Sequence, residues 1–196
     1  ANTTGTENTA VGANSLDANT TGEFNTAIGK EAMTTNTTGD RNVAVGFKAL
    51  KTMNVTDGSH TFNTAVGFAA GELTTTGTNN TFMGANSGGA VTTGIENTLI
   101  GGLSGDALTD ADFNVAVGSG ALGADTLGSR SVAIGRNTLA TQNFTSATSV
   151  NNTAVGYEAG KSTTVGIDNC LFGSNAGFAL TDADDNVAIG RSALAT

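Results

Sequence analysis

The five residues Asn8-Thr9-Ala10-Val11-Gly12 decide the fold, because they return, slightly varied, along the whole chain. Versions of this word begin at Asn8, Asn25, Asn42, Asn63, Asn80, Asn97, Asn114, Ser131, Asn152, Asn169 and Asn186. Successive starts lie 17 residues apart, except for gaps of 21 after Asn42 and after Ser131. A fixed period of this size overrides the ordinary expectation of one or two globules for 196 residues. Residues 1–196 therefore read as a single repeat array with no domain boundary.

Working outward from the word, its first four residues are β-prone and alternate in character, which suits a short strand. A second short segment follows and closes on a small residue and an apolar one, as in Ala32-Met33 or Ala49-Leu50. Turn chemistry completes the unit, as in Asn36-Thr37-Thr38-Gly39. Two strands of four or five residues and two turns make one flattened coil. Coils stacked about 4.8 Å apart pair each strand with its copy, so eleven of them form a rod on the order of 50 Å long. The expected fold is all-β, a parallel β-roll or β-solenoid of about eleven 17-residue coils.

Glycine closes every word: Gly12, Gly29, Gly46, Gly67, Gly84, Gly101, Gly118, Gly135, Gly156, Gly173 and Gly190. A residue demanded at one phase needs positive φ or has no room for a Cβ, so each coil is expected to turn a corner there.

The departures from the repeat also follow a rule. Gly71, Gly88, Gly105, Gly160 and Gly177 stand where other coils have Leu or Met. Phe82, Leu99 and Leu171 stand where other coils have Ala, each in the coil after one of these glycines. Leu73, Val91, Leu108 and Leu180 read as apolar residues displaced two or three places within the glycine coils. Volume lost at one site and returned at the next is what a close-packed core requires.

Each coil offers few aliphatic side chains against the ordering entropy of its backbone, so one stack alone is expected to be marginal. The Ala at the third position of each word makes a stripe of small residues suited to close approach of another chain. An oligomer is expected, with Ala10, Ala27, Ala44, Ala65, Ala116, Ala133, Ala154 and Ala188 near the interface or the coil core.

Composition narrows the function classes. A net charge of −9 with only eight Lys and Arg supplies no basic stripe to displace counterions, which argues against nucleic acid as a partner. No run of 18 apolar residues occurs, so no membrane insertion is expected of this segment. Cys170 is alone and fills a slot that other repeats give to Thr or Val. The first residue is not Met and both ends fall between repeats, which reads as a segment of a longer protein.

The words Asn-Thr-Ala-Val-Gly, Asn-Val-Ala-Val-Gly and Ser-Val-Ala-Ile-Gly resemble the head repeats of trimeric autotransporter adhesins. The longer unit, with Ala49-Leu50 and Asn36 to Gly39, also resembles repeat regions of phage tail fibres. The resemblance spans the whole chain, although the period is longer than that of the adhesin heads. It implies a left-handed β-roll in a homotrimer, placed on a virion tail or on a bacterial outer surface. Its implied role is structural and adhesive, a stiff spacer and platform for host or surface attachment. The implied partners are further copies of the chain and a host-surface glycan or protein.

Candidate chemistry is sparse. His60 is the one histidine, no Gly-Lys-Ser/Thr phosphate loop occurs, and no enzymatic activity or resident cofactor is expected. The acidic turns holding Asp110, Asp112, Asp182 and Asp184 are weak candidates for Ca²⁺ ligands, with ordinary turn chemistry as the plainer reading. The Asn row is expected to build an internal amide ladder or cap the corner, with glycan contact as the other reading. Ice binding requires a Thr-x-Thr face in every coil, and Val43, Val115, Val132, Cys170 and Val187 interrupt it. A ligand-binding solenoid, for Ca²⁺ or ice, is thus the alternative function. Two four-residue expansions, within 51–62 and 140–151, are the places where a repeat protein carries specific contacts. Met53, His60, Phe62 and Phe144 are the candidate contact residues there, and a plain lateral strut is the competing reading.

Overall fold

Every repeat word contributes one three-residue strand, and a computed structural model describes residues 2–196. The strands are β1 (Thr9–Val11), β2 (Thr26–Ile28), β3 (Val43–Val45), β4 (Thr64–Val66), β5 (Thr81–Met83), β6 (Thr98–Ile100) and β7 (Val115–Val117). Then come β8 (Gly128–Ser129), β9 (Val132–Ile134), β10 (Thr148–Ser149), β11 (Thr153–Val155), β12 (Cys170–Phe172) and β13 (Val187–Ile189). The eleven word strands pair in parallel in coil order as one sheet, with Ala10 against Ala27 and Ala44 against Ala65. Strands β8 and β10 form a separate parallel pair beside the second long coil. The described residues contain no helix, so the fold is an all-β parallel solenoid of about eleven coils.

The second expected strand does not form. The residue four places after each corner glycine has a left-handed backbone, with φ of 50° at Leu16 and 47° at Leu50. So has the residue two places after it, as at Asn14 (φ 58°) and Lys48 (φ 59°). Tight turns close around these residues: Ser15 N–H donates to Gly12 O at 3.3 Å and Asn19 N–H to Leu16 O at 3.3 Å. Positive φ at the third residue of a turn is the type II requirement, and recurring at every second position it forbids an extended run. The wall is a ladder nonetheless, because Leu16 N–H donates to Ala32 O, Leu50 N–H to Ala70 O and Gly105 N–H to Ala121 O, at 2.9–3.0 Å.

Both reasons for a corner glycine hold. Gly46 has φ 139°, and a Cβ there would lie 2.2 Å from the carbonyl oxygen of Gly67 in the next coil. Gly84 has φ 134° and would meet the Gly101 carbonyl at 2.6 Å. Adjacent coils touch backbone to backbone along this row.

The core lies inside the coil, between the strand and the turn wall. The alanines of the sheet face inward: Ala27, Ala44, Ala65, Ala116, Ala133 and Ala154 are fully buried and Ala188 nearly so, while Ala10 in the first coil is exposed. They are therefore coil core and not a stripe offered to another chain. A strand alternates its side chains, so burying the central Ala turns its two neighbours outward. Val11, Ile28, Met83, Ile134 and Ile189 accordingly stand exposed on the outer face.

The volume exchange is direct. A Cβ at Gly71 would lie 2.5 Å from Phe82 Cδ2, and one at Gly88 would lie 2.4 Å from Phe82 Cδ1. One ring thus occupies the space that two Leu side chains take in other coils. Leu99 fills the space at Gly105, and Leu171 that at Gly160 and Gly177. Val91 and Leu108 are fully buried beside them, but Leu73 is exposed and Thr74 takes the interior position. The third residue after the glycine points into the coil and the second points out, so Leu73 is not a displaced core residue.

Candidate functional site

Asn side chains run up the inside of the solenoid as a hydrogen-bonded column. The Asn80 Nδ2 donates to Gly94 O at 2.8 Å, while its Oδ1 accepts from the Asn97 backbone N–H at 2.9 Å. Asn25, Asn42, Asn63, Asn97, Asn114 and Asn152 share the burial. Such a column cannot reach a glycan, so that reading of the Asn row falls. Where Ser131 interrupts it, the Gln142 side chain bridges the gap: its Nε2 donates to Ser131 Oγ at 3.0 Å and its Oε1 accepts from Asn152 Nδ2 at 2.9 Å. Gln142 also donates to the buried Asp125, whose other oxygen accepts from the Gly128 and Phe144 N–H groups.

This explains the interior side of the two expansions. Met53 and Gln142 occupy the same position of the two long coils and are both fully buried. Met53 Sδ lies 3.7 Å from Asn63 Nδ2 and 3.8 Å from Thr61 Oγ1, the sulfur standing against the amide column. Phe144 is buried as well. Met53 and Phe144 therefore fill the enlarged coils and are not surface contacts, whereas His60 and Phe62 remain exposed.

The acidic turns serve the backbone. Asp112 Oδ1 accepts from the Ile95 N–H at 2.8 Å and Asp184 Oδ1 from the Ile167 N–H at 2.8 Å. Asp110 accepts from the Thr93 hydroxyl and Asp182 from the Thr181 hydroxyl. Each of the first three carboxylates ties its coil to the preceding one. Among the described residues no three His, Cys, Asp or Glu side chains gather as a metal site. Cys170 is a half-buried free thiol at the start of β12.

The outer surface beside the expansions holds a constellation that the expansions alone do not reveal. Just below the first long coil the Arg41 guanidinium lies 4.9 Å from the Phe24 ring centroid and 5.9 Å from that of Phe62. His60 caps it, with its ring nitrogens 2.6 and 2.9 Å from Arg41 Nη1 and its Nδ1 3.0 Å from Asp40 Oδ2. Both polar edges of His60 are thus engaged within the chain. Five coils further on, the Arg130 guanidinium lies 6.0 Å from the Phe113 ring. Beside it is a groove of about 180 Å³, lined by Asp112, Phe113, Ser129, Arg130, Thr148 and Ser149 among others. The sequence signal for this pair is a Phe followed one coil later by an Arg, each directly before the first residue of a word, with the Arg just below an expanded coil.

Along the sheet runs the other exposed feature, a row of Val, Ile, Met and Phe at the third strand position. No helix among the described residues is long and apolar enough to cross a membrane. Compared with family models, curated proteins and solved structures, the chain matches none.

Proposed function

We propose that this chain is a segment of a homotrimeric extracellular fibre, a phage tail fibre or a bacterial surface adhesin, acting as a stiff spacer and attachment platform. The observation that supports it best is the outward apolar row. Val11, Ile28, Met83, Ile134, Phe172 and Ile189 are each more than a third exposed on one continuous sheet face. A stripe of this length on a soluble chain marks an interface. Closed cyclic symmetry buries such a stripe once per copy without leaving an open end. The repeat resemblance implies three left-handed copies, and turning their sheets toward a common axis would bury this stripe. The in-register ladders on both walls leave no flexible joint between coils, as a spacer needs. Any contact site on one chain then recurs three times about the axis, and weak contacts gain avidity. The function is non-enzymatic in this reading, with neither nucleic acid nor membrane lipid as partner.

Sedimentation equilibrium of the chain tests the assembly. The expected species has three times the mass of the 19.3 kDa chain. Ile134→Asp, which places a charge in the proposed interface, should return the sample to monomer. A wild-type sample that sediments as a folded monomer at all concentrations would sink the trimer. Attachment is tested separately, by competition of the purified segment with whole particles or cells for the host surface.

A further inference from the structure

The two expansions carry the same side-chain frame in two different states. Phe24 and Phe113, Arg41 and Arg130, and His60 and Ser149 occupy equivalent positions five coils apart. The backbone agrees: His60 bridges to Asp40 as Ser149 pairs with Ser129. Arg41 N–H donates to Glu23 O at 3.1 Å as Arg130 N–H donates to Asp112 O at 3.0 Å. The side chain of Asp40 accepts from the Glu23 N–H, and in the second frame Ser129 Oγ accepts from the Asp112 N–H.

The difference lies in what meets the guanidinium. In the first frame Asp40 stands 3.9 Å from Arg41 and the His60 imidazole covers it, so the chain supplies both the countercharge and a planar polar ring. In the second frame Ser129 replaces the carboxylate and Ser149 replaces the imidazole. Arg130 has no ion pair among the described residues, and the groove opens where the ring would lie.

We infer that the Arg130 groove binds a carboxylate-bearing sugar residue, such as a uronic acid, in the place that His60 takes in the first frame. Each part of the groove matches one part of that ligand. A guanidinium with no carboxylate of its own takes the sugar carboxylate in a charge-assisted, two-pronged contact. The exposed Phe113 ring takes the apolar C–H face. The hydroxyls of Ser129, Thr148 and Ser149 pair with sugar hydroxyls, and the Asp112 oxygen not used by the Ile95 N–H accepts a hydrogen bond from another. A simple carboxylate ion satisfies Arg130 but leaves the Phe113 ring uncovered and the groove hydroxyls unmatched. The groove gives the attachment role proposed above a ligand class. Its test reads binding, whereas sedimentation tests the assembly, so either can fail alone.

The test is calorimetric titration of the whole 196-residue chain with glucuronate, with glucose and acetate as comparisons. Saturable binding of glucuronate is expected, with one site per chain, and glucose and acetate should bind at least about ten-fold more weakly. Arg130→Ala should weaken glucuronate by about ten-fold or more, and Ser149→His should close the groove by installing the ring of the first frame. The converse double change, Asp40→Ser with His60→Ser, should raise the stoichiometry from one site to two. Thermal melts of the variants separate loss of binding from loss of fold. Absence of glucuronate binding, or binding indifferent to Arg130→Ala in a folded variant, would overturn the site. Acetate binding as tightly as glucuronate would overturn the sugar assignment.

Discussion

Asn97 hangs from Asn80: the Asn80 Oδ1 accepts both the backbone N–H and the side-chain Nδ2 of Asn97, at 2.9 and 3.2 Å. With Asn80 Nδ2 held by Gly94 O in turn, every polar atom of the amide is used inside the coil. Asn80→Leu would leave the Asn97 N–H and the Gly94 carbonyl buried without partners. The expected loss is about 1–3 kcal/mol for each orphaned group, read as a fall in the denaturant midpoint. Asn80→Asp should be at least as damaging, because a carboxylate cannot donate to Gly94. An unchanged midpoint in either variant would mean that water enters the column.

The corner row sets a second expectation. Gly118 combines φ 133° with a neighbour, the Gly135 carbonyl oxygen, 2.5 Å from where a Cβ would sit. Gly118→Val should therefore cost more than the roughly 1–3 kcal/mol of backbone strain alone, since the next coil must also move. Gly58 provides the contrast, with φ 73° and open space around it. Gly58→Ala should cost about 1 kcal/mol or less by the same melt. Equal losses at the two positions would show that coil contact is not the reason for the row.

Phe82 and Gly88 are expected to be coupled. Phe82→Ala empties a space shared by two coils, for an expected loss of about 3–5 kcal/mol. Adding Gly88→Leu restores the Ala-and-Leu pattern of the coils with Ala44 and Leu50 or Ala116 and Leu122, at a position where Leu16 and Leu50 already adopt positive φ. The double variant should recover part of that loss, whereas Gly88→Leu alone should clash with the ring. A double-mutant cycle from equilibrium melts measures this, and strict additivity would refute the exchange.

Acid should weaken the surface of the coil that follows the second expansion. The Lys161 ammonium, 2.9 Å away, donates to the Glu158 carboxylate and holds its pKa below the ordinary 4.5, and Asn137 adds a longer contact. A carboxyl group whose folded pKa is depressed binds protons less readily when folded. Its contribution is therefore complete above about pH 5 and fades as pH falls through the folded value. Glu158→Gln should melt below wild type at about pH 7, and the gap should narrow as pH falls below the ordinary 4.5 and through the lower folded value. The pair lies half-buried at the coil surface and is partly screened by solvent, so the gap is expected to be small. A gap constant across this range would show that the ion pair contributes nothing.

Much of the architecture was legible in the repeats. Recurrence of Asn at Asn25, Asn42 and Asn63 pointed to the column, because an interior amide needs a partner at the same phase in every coil. The Phe82 exchange was legible too, since volume in a packed interior is conserved locally. The contact residues were less so. Met53 and Phe144 looked like loop side chains, but a four-residue expansion widens the coil from inside and must be filled. Arg130 lies outside both expansions in sequence, and only the stacking of coils places it beneath Ser149.

Period, parallel in-register stacking and the glycine row follow from the sequence by itself, because one local backbone requirement repeated at one phase has a single periodic solution. Which face of each strand looks inward was decided only in the tertiary structure. Judged by hydrophobicity, Val and Ile belong in the core and Ala at the surface. The turn wall stands too close for that: Phe82, the bulky residue of β5, is accommodated only beside Gly71 and Gly88. Opposite a Leu or Met there is room for a methyl group alone, so the small residue turns in and the large ones turn out.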